Sequence, residues 1–457
     1  MTEITDEPKE IVLPEDERLR GQNAIIIVTL FDTLLAGTAL GSVSSLFVLK
    51  LGKGLPDSQS AFHVALLSVV GQIAPLSQVL GLGLLTRAGK ARLVMTGHII
   101  AAAPLLFIAL LAGLGVEGNA AVFAMLASMA VYSLIFTVGQ TAWWPLIQDS
   151  TAGGPVEPFF ARMRTRYLLL GVVVAIAMAF FMGKDPSSWR FTVTYIVGAL
   201  ALVAGGLSLR GVSERPYHAP DGLLQRLRQA ALVPSVRKYV AFAAVRGMVL
   251  AVSTPFWVVI LKRHGLPEGF IVWLSAVVAI GNVTGVRWWG RFVSRHNFRP
   301  AITITLVGES LLGLAWLLFP GQGSGLRIWV VAFYLLWGML EGGYLMGWTR
   351  AMLSSVPGSV QANGFTLATV VCSTAGALAG LAGGFIFQRL TDASIVGLSG
   401  WAIYLCLAQL LFLAAWRMAS RMESYENQAP AARLMGEAWM RATRPLVRMM
   451  GKIGLPP

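Results

Sequence analysis

Two short stretches decide the fold: LKLGKGLP at residues 49–56 and LKRHGLP at residues 261–267. Each stretch closes a long apolar run and is followed by a second apolar run. A glycine and an amide recur inside that second run, as Gly71-Gln72 in the first copy and Gly281-Asn282 in the second. Both copies then reach a basic loop. Because the two copies run in the same direction along the chain, they predict two halves related by a parallel repeat.

The composition is that of a protein whose solvent is largely lipid. Of the 457 residues, 56% are hydrophobic and 13% are charged, whereas a soluble domain carries about 25% charged residues. The mean hydropathy is +0.67. Crossing a bilayer takes roughly 20 apolar residues per helix. Suitable runs lie near 25–49, 62–85, 93–115, 119–145, 166–182, 189–209, 239–261, 268–289, 300–319, 327–350, 362–387 and 397–416. We therefore predict an all-α polytopic membrane protein with about 12 transmembrane helices in two six-helix bundles.

The basic residues are distributed unevenly between the two ends of these runs. Of the 36 Lys and Arg residues, 27 fall on the side of both termini, 8 on the opposite side and one, Arg246, inside a span. Positive charge collects on the cytoplasmic side of membrane proteins. The pattern predicts cytoplasmic termini, and it explains the net charge of +14 without a nucleic-acid partner.

The same pattern divides the chain into five regions. They are a polar cytoplasmic tail (1–23), a first bundle (24–209), a central cytoplasmic loop (210–238), a second bundle (239–418) and a basic C-terminal segment (419–457). Apolar and basic residues alternate at helical spacing in the central loop and in the C-terminal segment, which favours helices lying on anionic lipid. Because Pro445 disfavours a continuous helix, a loosely ordered tail is the alternative for the last region.

The basic loops after the second span of each half carry a recognisable motif. The first copy has Thr86, Arg87, Gly89 and Lys90, and the second has Gly290, Ser294 and Arg295. These residues resemble the Gly-x-Leu-x-Asp-Arg-x-Gly-Arg-Lys signature of the major facilitator superfamily, with Thr86 at the aspartate position. The resemblance implies a bacterial secondary transporter in the inner membrane, with a cytoplasmic gate at these loops.

Three charged residues deep inside predicted spans are functional candidates. Asp32 and Arg246 occupy similar depths in the first and seventh spans, and Glu341 lies near the middle of the tenth. A charge at bilayer depth costs at least ~3 kcal/mol on insertion scales, so it marks a functional candidate. We expect Asp32 and Arg246 to serve as a gate on the cytoplasmic side, as a proton site, as a clamp that binds charged cargo, or as a buried pair that only fixes the two halves. Glu341 is a candidate for loading and releasing a proton, or else bonds a neighbouring helix.

Amides and aromatic residues complete the candidate set. Gln72, Gln140 and Asn282 lie inside spans, where amides either bond neighbouring helices or contact cargo. Trp337 and Tyr344 are seven residues apart, hence on one helix face. For Glu309, in the ninth span, we expect a structural role.

The function that follows is secondary active transport of a small organic solute by alternating access, coupled to protons. The alternative is a transporter-like scaffold or receptor that assembles a larger complex, with the C-terminal segment as a protein-binding element. No Walker-type loop, nucleophile elbow or cofactor motif appears, so we expect neither an enzyme nor a cofactor. Five scattered histidines and two cysteines predict no metal site.

Overall fold

The computed structural model describes residues 13–151, 156–215, 223–319, 324–356, 361–390, 394–395 and 398–422. Within those residues, twelve helical segments are long and apolar enough to cross a membrane. This confirms the all-α polytopic architecture. The predicted C-terminal surface helix lies outside the described residues, as do most of the N-terminal tail and part of the central loop.

The first half contains spans 1 to 6, and three of these spans are interrupted. Its helices are α1 (Glu15–Ala39), α2 (Ser42–Leu51), α3 (Asp57–Ile73), α4 (Gln78–Ala88), α5 (Lys90–Leu114), α6 (Asn119–Gln140), α7 (Trp143–Thr151), α8 (Val156–Met182) and α9 (Ser188–Leu207). Span 1 consists of α1 and α2. Span 2 joins α3 to α4 through a 3-10 turn (Ala74–Ser77). Span 4 consists of α6 and α7, and α5, α8 and α9 are spans 3, 5 and 6.

The second half contains spans 7 to 12 and follows a short helix, α10 (Leu223–Leu232). Its spans are α11 (Pro234–Arg263), α12 (Glu268–His296), α13 (Phe298–Leu314) with a 3-10 turn (Ala315–Leu318), α14 (Ser324–Ser355), α15 (Gln361–Leu390) and α16 (Gly400–Ala419). A two-residue hairpin, β1 (Ser394–Ile395) with β2 (Leu398–Ser399), precedes span 12. Helix α10 packs against spans 7 and 11.

With twelve spans, the described chain starts and ends on one side of the bundle. We call this the terminal side and the opposite one the distal side. The turns that carry the repeated motif lie on the terminal side and have the same backbone conformation. Gly89 precedes span 3 with φ 82° and ψ 165°, and Asn297 precedes span 9 with φ 68° and ψ 177°. A positive φ is unusual for a residue other than glycine, so its recurrence at Asn297 supports the repeat strongly.

The two halves meet along two helix pairs, span 2 with span 11 and span 5 with span 8. Glycines allow the first pair to approach closely. A Cβ on Gly376 would lie 2.7 Å from Gln72 Oε1, and one on Gly384 would lie 2.5 Å from the Ala65 Cβ. At the second pair, the Gly269 N–H donates to the Gly183 carbonyl at 2.5 Å. Small residues at such contacts let helix backbones pack without intervening side chains.

Candidate functional site

The first of two cavities lies between the halves on the terminal side and has a volume of about 370 Å³. Amide, hydroxyl and aromatic side chains from spans 2, 4, 7, 10 and 11 provide most of its lining. They are Gln78, Gln140, Gln148, Thr141, Trp143, Trp144, Tyr239, Trp348, Phe365, Thr366, Thr369 and Ser373. Since span 4 breaks between α6 and α7 beside this cavity, the break turns Trp143 and Trp144 towards it.

The second cavity is nearer the distal side and has a volume of about 510 Å³. Spans 1, 2, 4, 7, 8 and 10 line it. Its hydroxyl and aromatic residues are Ser42, Ser44, Ser45, Ser68, Ser133, Ser275, Thr254, Tyr132, Tyr334 and Trp257. The break in span 1 lies here, at Gly41 with φ 58°. Pro255, inside span 7, lines the cavity from the other half.

Span 10 connects the two cavities along one face. Tyr334 lines the distal cavity and Trp348 the terminal-side cavity. Glu341 lies seven residues from each, which places it on the same face about 10 Å along the helix from either one. Its side chain is 29% exposed. Glu341 is therefore a partly accessible carboxyl group at a depth between the two cavities.

Arg246 binds two carboxylates of its own half. One of its Nη atoms donates to Glu309 Oε2 at 2.5 Å. The other donates to Glu309 Oε1 at 3.2 Å and to Glu341 Oε2 at 2.9 Å. Arg246 is 2% exposed and Glu309 is fully buried. One cation thus faces two carboxyl groups, so this triad reaches neutrality only when it also holds one proton.

Aromatic rings lead from the triad to the terminal-side cavity. The Arg246 guanidinium lies 4.2 Å from the centre of the Tyr344 ring, a distance typical of a cation–π contact. The Tyr344 ring stacks on Trp348 at 5.8 Å, and Trp348 lies 4.9 Å from Tyr239. Arg246 is therefore linked through ring contacts to two side chains that line the cavity, Trp348 and Tyr239.

Asp32 forms its ion pair with His98 of span 3. The Asp32 Oδ1 lies 3.1 Å from His98 Nε2, and His98 Nδ1 lies 2.9 Å from the Val94 carbonyl oxygen. His98 is fully buried, whereas the Asp32 side chain is 25% exposed. In the part of the chain that the structure describes, Asp32 and Arg246 form no ion pair with each other, so neither bridges the two halves in this conformation.

Both ring nitrogens of His98 contact oxygen atoms. A carbonyl oxygen only accepts, so Nδ1 must carry a proton to bond Val94. The second contact then requires either a proton on His98 Nε2 or a proton on the Asp32 carboxyl group. The contact between the two side chains is therefore one that a bound proton completes.

The two halves repeat this ion-pair arrangement with opposite polarity. In the first half, the acid is on span 1 and the base on span 3. In the second half, the base, Arg246, is on span 7 and the acid, Glu309, is on span 9. The equivalent helices of both halves are therefore joined by an acid–base contact, although the charges are exchanged and only the second-half pair is fully buried.

The motif loop of the first half takes part in a buried network at the terminal side. Lys90 Nζ lies 2.5 Å from Asp149 Oδ2, and Arg215 Nε donates to Asp149 Oδ1 at 3.0 Å. Glu214 accepts from the Ala91 N–H at 2.6 Å. Lys90 and Asp149 are both at most 5% exposed. Asp149 and Glu214 thus supply carboxylates to a loop that has Thr86 at the aspartate position.

The other described motif residues are more exposed to solvent or less tightly packed than Lys90. Arg87 and Arg295 are exposed. A Cβ on Gly290 would meet nothing within 4 Å. The side chains of Thr86 and Ser294 lie outside the described part of the structure.

The remaining candidates separate into cavity and packing positions. Gln140 lines the terminal-side cavity. Gln72 lies against Gly376 across the two halves, and Asn282 lies against Gly342 within the second half. Trp337 is buried against Trp257, with ring centres 4.7 Å apart, so it supports a wall of the distal cavity from behind.

The sequence analysis did not identify His98 or Asp149 as site residues, and it predicted only a structural role for Glu309. Each of the three is the partner of a charge that the sequence did reveal. A buried charge needs a partner, which could have prompted a search of spans 3, 4 and 9. The spacing along the chain, however, did not show which partner faces which charge.

No family model matches this sequence, and no curated protein matches it. Solved structures do match. A structure of the nucleoside transporter NupG covers 88% of this chain and 100% of its own, with a TM-score of 0.67 and 14% identity. A POT family transporter covers 89% and 97%, with a TM-score of 0.65 and 12% identity.

The chain has the major facilitator fold. A D-xylose-proton symporter supports the same conclusion, with a TM-score of 0.62 and 15% identity over 89% of this chain and 98% of that one. The chain therefore spans the full architecture of these transporters, and both six-helix halves are present.

Proposed function

We propose that the protein is a secondary active transporter that moves a small organic solute by alternating access. The observation that carries the proposal is the pair of cavities between the halves, with Glu341 partly exposed at a depth between them. A transporter of this kind binds its solute near the midplane where the two halves meet. The nucleoside, peptide and xylose transporters that share the fold support the same reading.

Proton coupling follows from the two charge clusters. The Asp32–His98 pair has the geometry of a proton-loaded site. The triad of Arg246, Glu309 and Glu341 is neutral only with one proton added. Both clusters include a partly exposed carboxyl group, Asp32 in one and Glu341 in the other, through which a proton can be exchanged with water.

Two contacts between the halves are suited to act as gates. On the terminal side, Arg164 Nη2 of span 5 donates to Thr349 Oγ1 of span 10 at 2.9 Å. On the distal side, the Gly269 N–H of span 8 donates to the carbonyl oxygen of Gly183, which directly follows span 5. Alternating access requires these contacts to open in turn, because a solute must not pass both at once.

We also propose a location in a bacterial inner membrane, which rests on the family resemblance, and cytoplasmic termini, which rest on the distribution of Lys and Arg. The protein surface meets the lipid bilayer. The C-terminal segment remains the candidate for a protein partner. If the protein is instead a scaffold, removal of residues 429–457 should abolish its function. If it is a transporter, the same truncation should leave transport intact.

Reconstitution into liposomes that enclose a pH-sensitive dye tests the proposal. A transported solute added outside should acidify the lumen when it enters together with protons. The double variant Asp32→Asn with Glu341→Gln should abolish that acidification while solute exchange continues. Solute-driven acidification that persists in the double variant would show that Asp32 and Glu341 do not couple transport to protons. Failure of every tested solute class to cross the membrane would favour the scaffold.

A further inference from the structure

Neither cavity offers a charged group to a solute. Among the described residues that line the two cavities, none is Asp, Glu, Lys, Arg or His. This is unusual for a site that recognises an ion, because a bound charge needs an opposite charge or a dense set of hydrogen bonds in place of its water. The described linings therefore lack the feature that a charged solute requires.

The nearby charges are already engaged by the protein. Arg246 gives two hydrogen bonds to Glu309 and one to Glu341. Asp32 is engaged by His98. With one proton at each cluster both are neutral, so neither presents a net charge to a solute in the proton-loaded state.

The terminal-side cavity instead offers amides beside flat rings. Gln78, Gln140 and Gln148 supply groups that both donate and accept hydrogen bonds. Trp144 and Trp348 supply large apolar faces. Amides bond the hydroxyl, carbonyl or amino groups at the edge of a neutral ring, while indole faces cover the ring itself.

The distal cavity continues the same chemistry with hydroxyl groups. Six serines and one threonine line it together with Tyr132, Tyr334 and Trp257. The two volumes, about 370 and 510 Å³, are in the range of a site for one small organic molecule. Both cavities thus suit the same kind of solute, as a molecule that moves from one to the other requires.

We propose that the solute is an uncharged, ring-containing polar molecule with several hydroxyl or amide groups, in the chemical class of neutral nucleosides and glycosides. This inference rests on the proposed transport function, since it assumes that the two cavities are the solute path. Among the described residues that line the two cavities, no side chain would pair with the charge of an anion, a cation or a zwitterion, which favours a neutral solute.

Equilibrium binding to the full-length protein in detergent tests the inference. The neutral probes are uridine and methyl glucoside, and the charged probes are glutamate, a dipeptide and tetraphenylphosphonium. At least one neutral probe should bind, and the charged probes should not compete. Trp348→Leu should weaken binding at least tenfold. The control Trp288→Leu changes an indole that is 51% exposed on the outer surface of the bundle and should leave binding unchanged.

The outcomes separate this inference from the transport proposal. Binding of a neutral probe that is weakened by Trp348→Leu supports the inference. If liposome assays then show that this probe does not cross the membrane, that result counts against the transport proposal and not against the inference. Binding of charged probes only would overturn the inference and leave transport standing. Absence of binding by both neutral probes at their solubility limits would overturn it as well.

Discussion

The charged side chains inside the spans, each with an identified ion-pair partner, are the residues whose substitution tests the mechanism most directly. His98 contacts Asp32 in the first half, and Arg246 joins two carboxyl groups in the second. The sequence revealed Asp32, Arg246 and Glu341 because a charge inside an apolar run stands out. It could not reveal the pairing, since partners lie on different helices and their rotation about the helix axis depends on packing throughout the bundle.

Replacing Asp32 by Asn should uncouple transport from the proton gradient. An amide cannot load and release the proton that the His98 contact requires. We expect gradient-driven accumulation to fall at least ~10-fold, while exchange of internal for external solute continues, because exchange needs no net proton movement. Asp16→Asn, at an exposed surface pair with Arg20, is the matched control and should accumulate solute normally.

Removing the cation of the triad should destabilise the fold. Arg246→Ala leaves Glu309 fully buried without its partner, and breaking such a pair costs about 3–5 kcal/mol. The double variant Arg246→Met with Glu309→Leu should be less destabilised than Arg246→Ala, because no buried charge is orphaned at that contact. Thermal unfolding in detergent measures both, with the exposed Arg295→Ala as control. A double variant less stable than the single one would contradict this account of the pair.

At the scale of elements, glycine positions determine how closely the halves approach. Gly376, Gly380 and Gly384 lie four residues apart on span 11 and form a ridge of small residues, a spacing that allows close helix packing. The structure shows that the partner is span 2 of the other half. No local pattern identified that partner, because helix-to-helix contacts between halves are set by the whole bundle.

A bulky residue on this ridge should separate the halves. Gly384→Leu would drive a side chain into Ala65, whereas Gly83→Leu introduces a Cβ with nothing within 4 Å. Overpacking typically costs about 1–3 kcal/mol, so Gly384→Leu should unfold at a lower temperature and transport poorly. Gly83→Leu should behave like the unaltered protein in both measurements. Equal effects of the two substitutions would show that the ridge contact is unimportant.

The network around Asp149 holds the motif loop of the first half to the segment that follows span 6. Asp149→Ala removes the carboxylate that Lys90 and Arg215 share and leaves Lys90 buried without that partner. We expect a loss of about 3 kcal/mol or more in the free energy of unfolding. The measurement is thermal unfolding, with Lys90→Met added to Asp149→Ala as the comparison. The second change should recover part of the loss, since it removes the orphaned ammonium group.

At the scale of the whole molecule, the repeat was the most informative property of the sequence. The matching stretches at 49–56 and 261–267 predicted two halves in the same orientation, and the structure confirms that architecture. The equivalence extends to the turns at Gly89 and Asn297. The cavities themselves could not be predicted, because their shape depends on helix breaks such as the one at Gly41 and on contacts between residues far apart in the chain.

The most direct test of alternating access is a pair of distance measurements between spin labels. One pair, at Arg87 and Arg295, reports the separation of the halves on the terminal side. The other, at Glu117 and Arg327, reports it on the distal side, and all four positions are exposed. Changing the pH or adding a bound solute should widen one separation while narrowing the other. Two separations that stay fixed under every condition would contradict transport and identify a rigid scaffold.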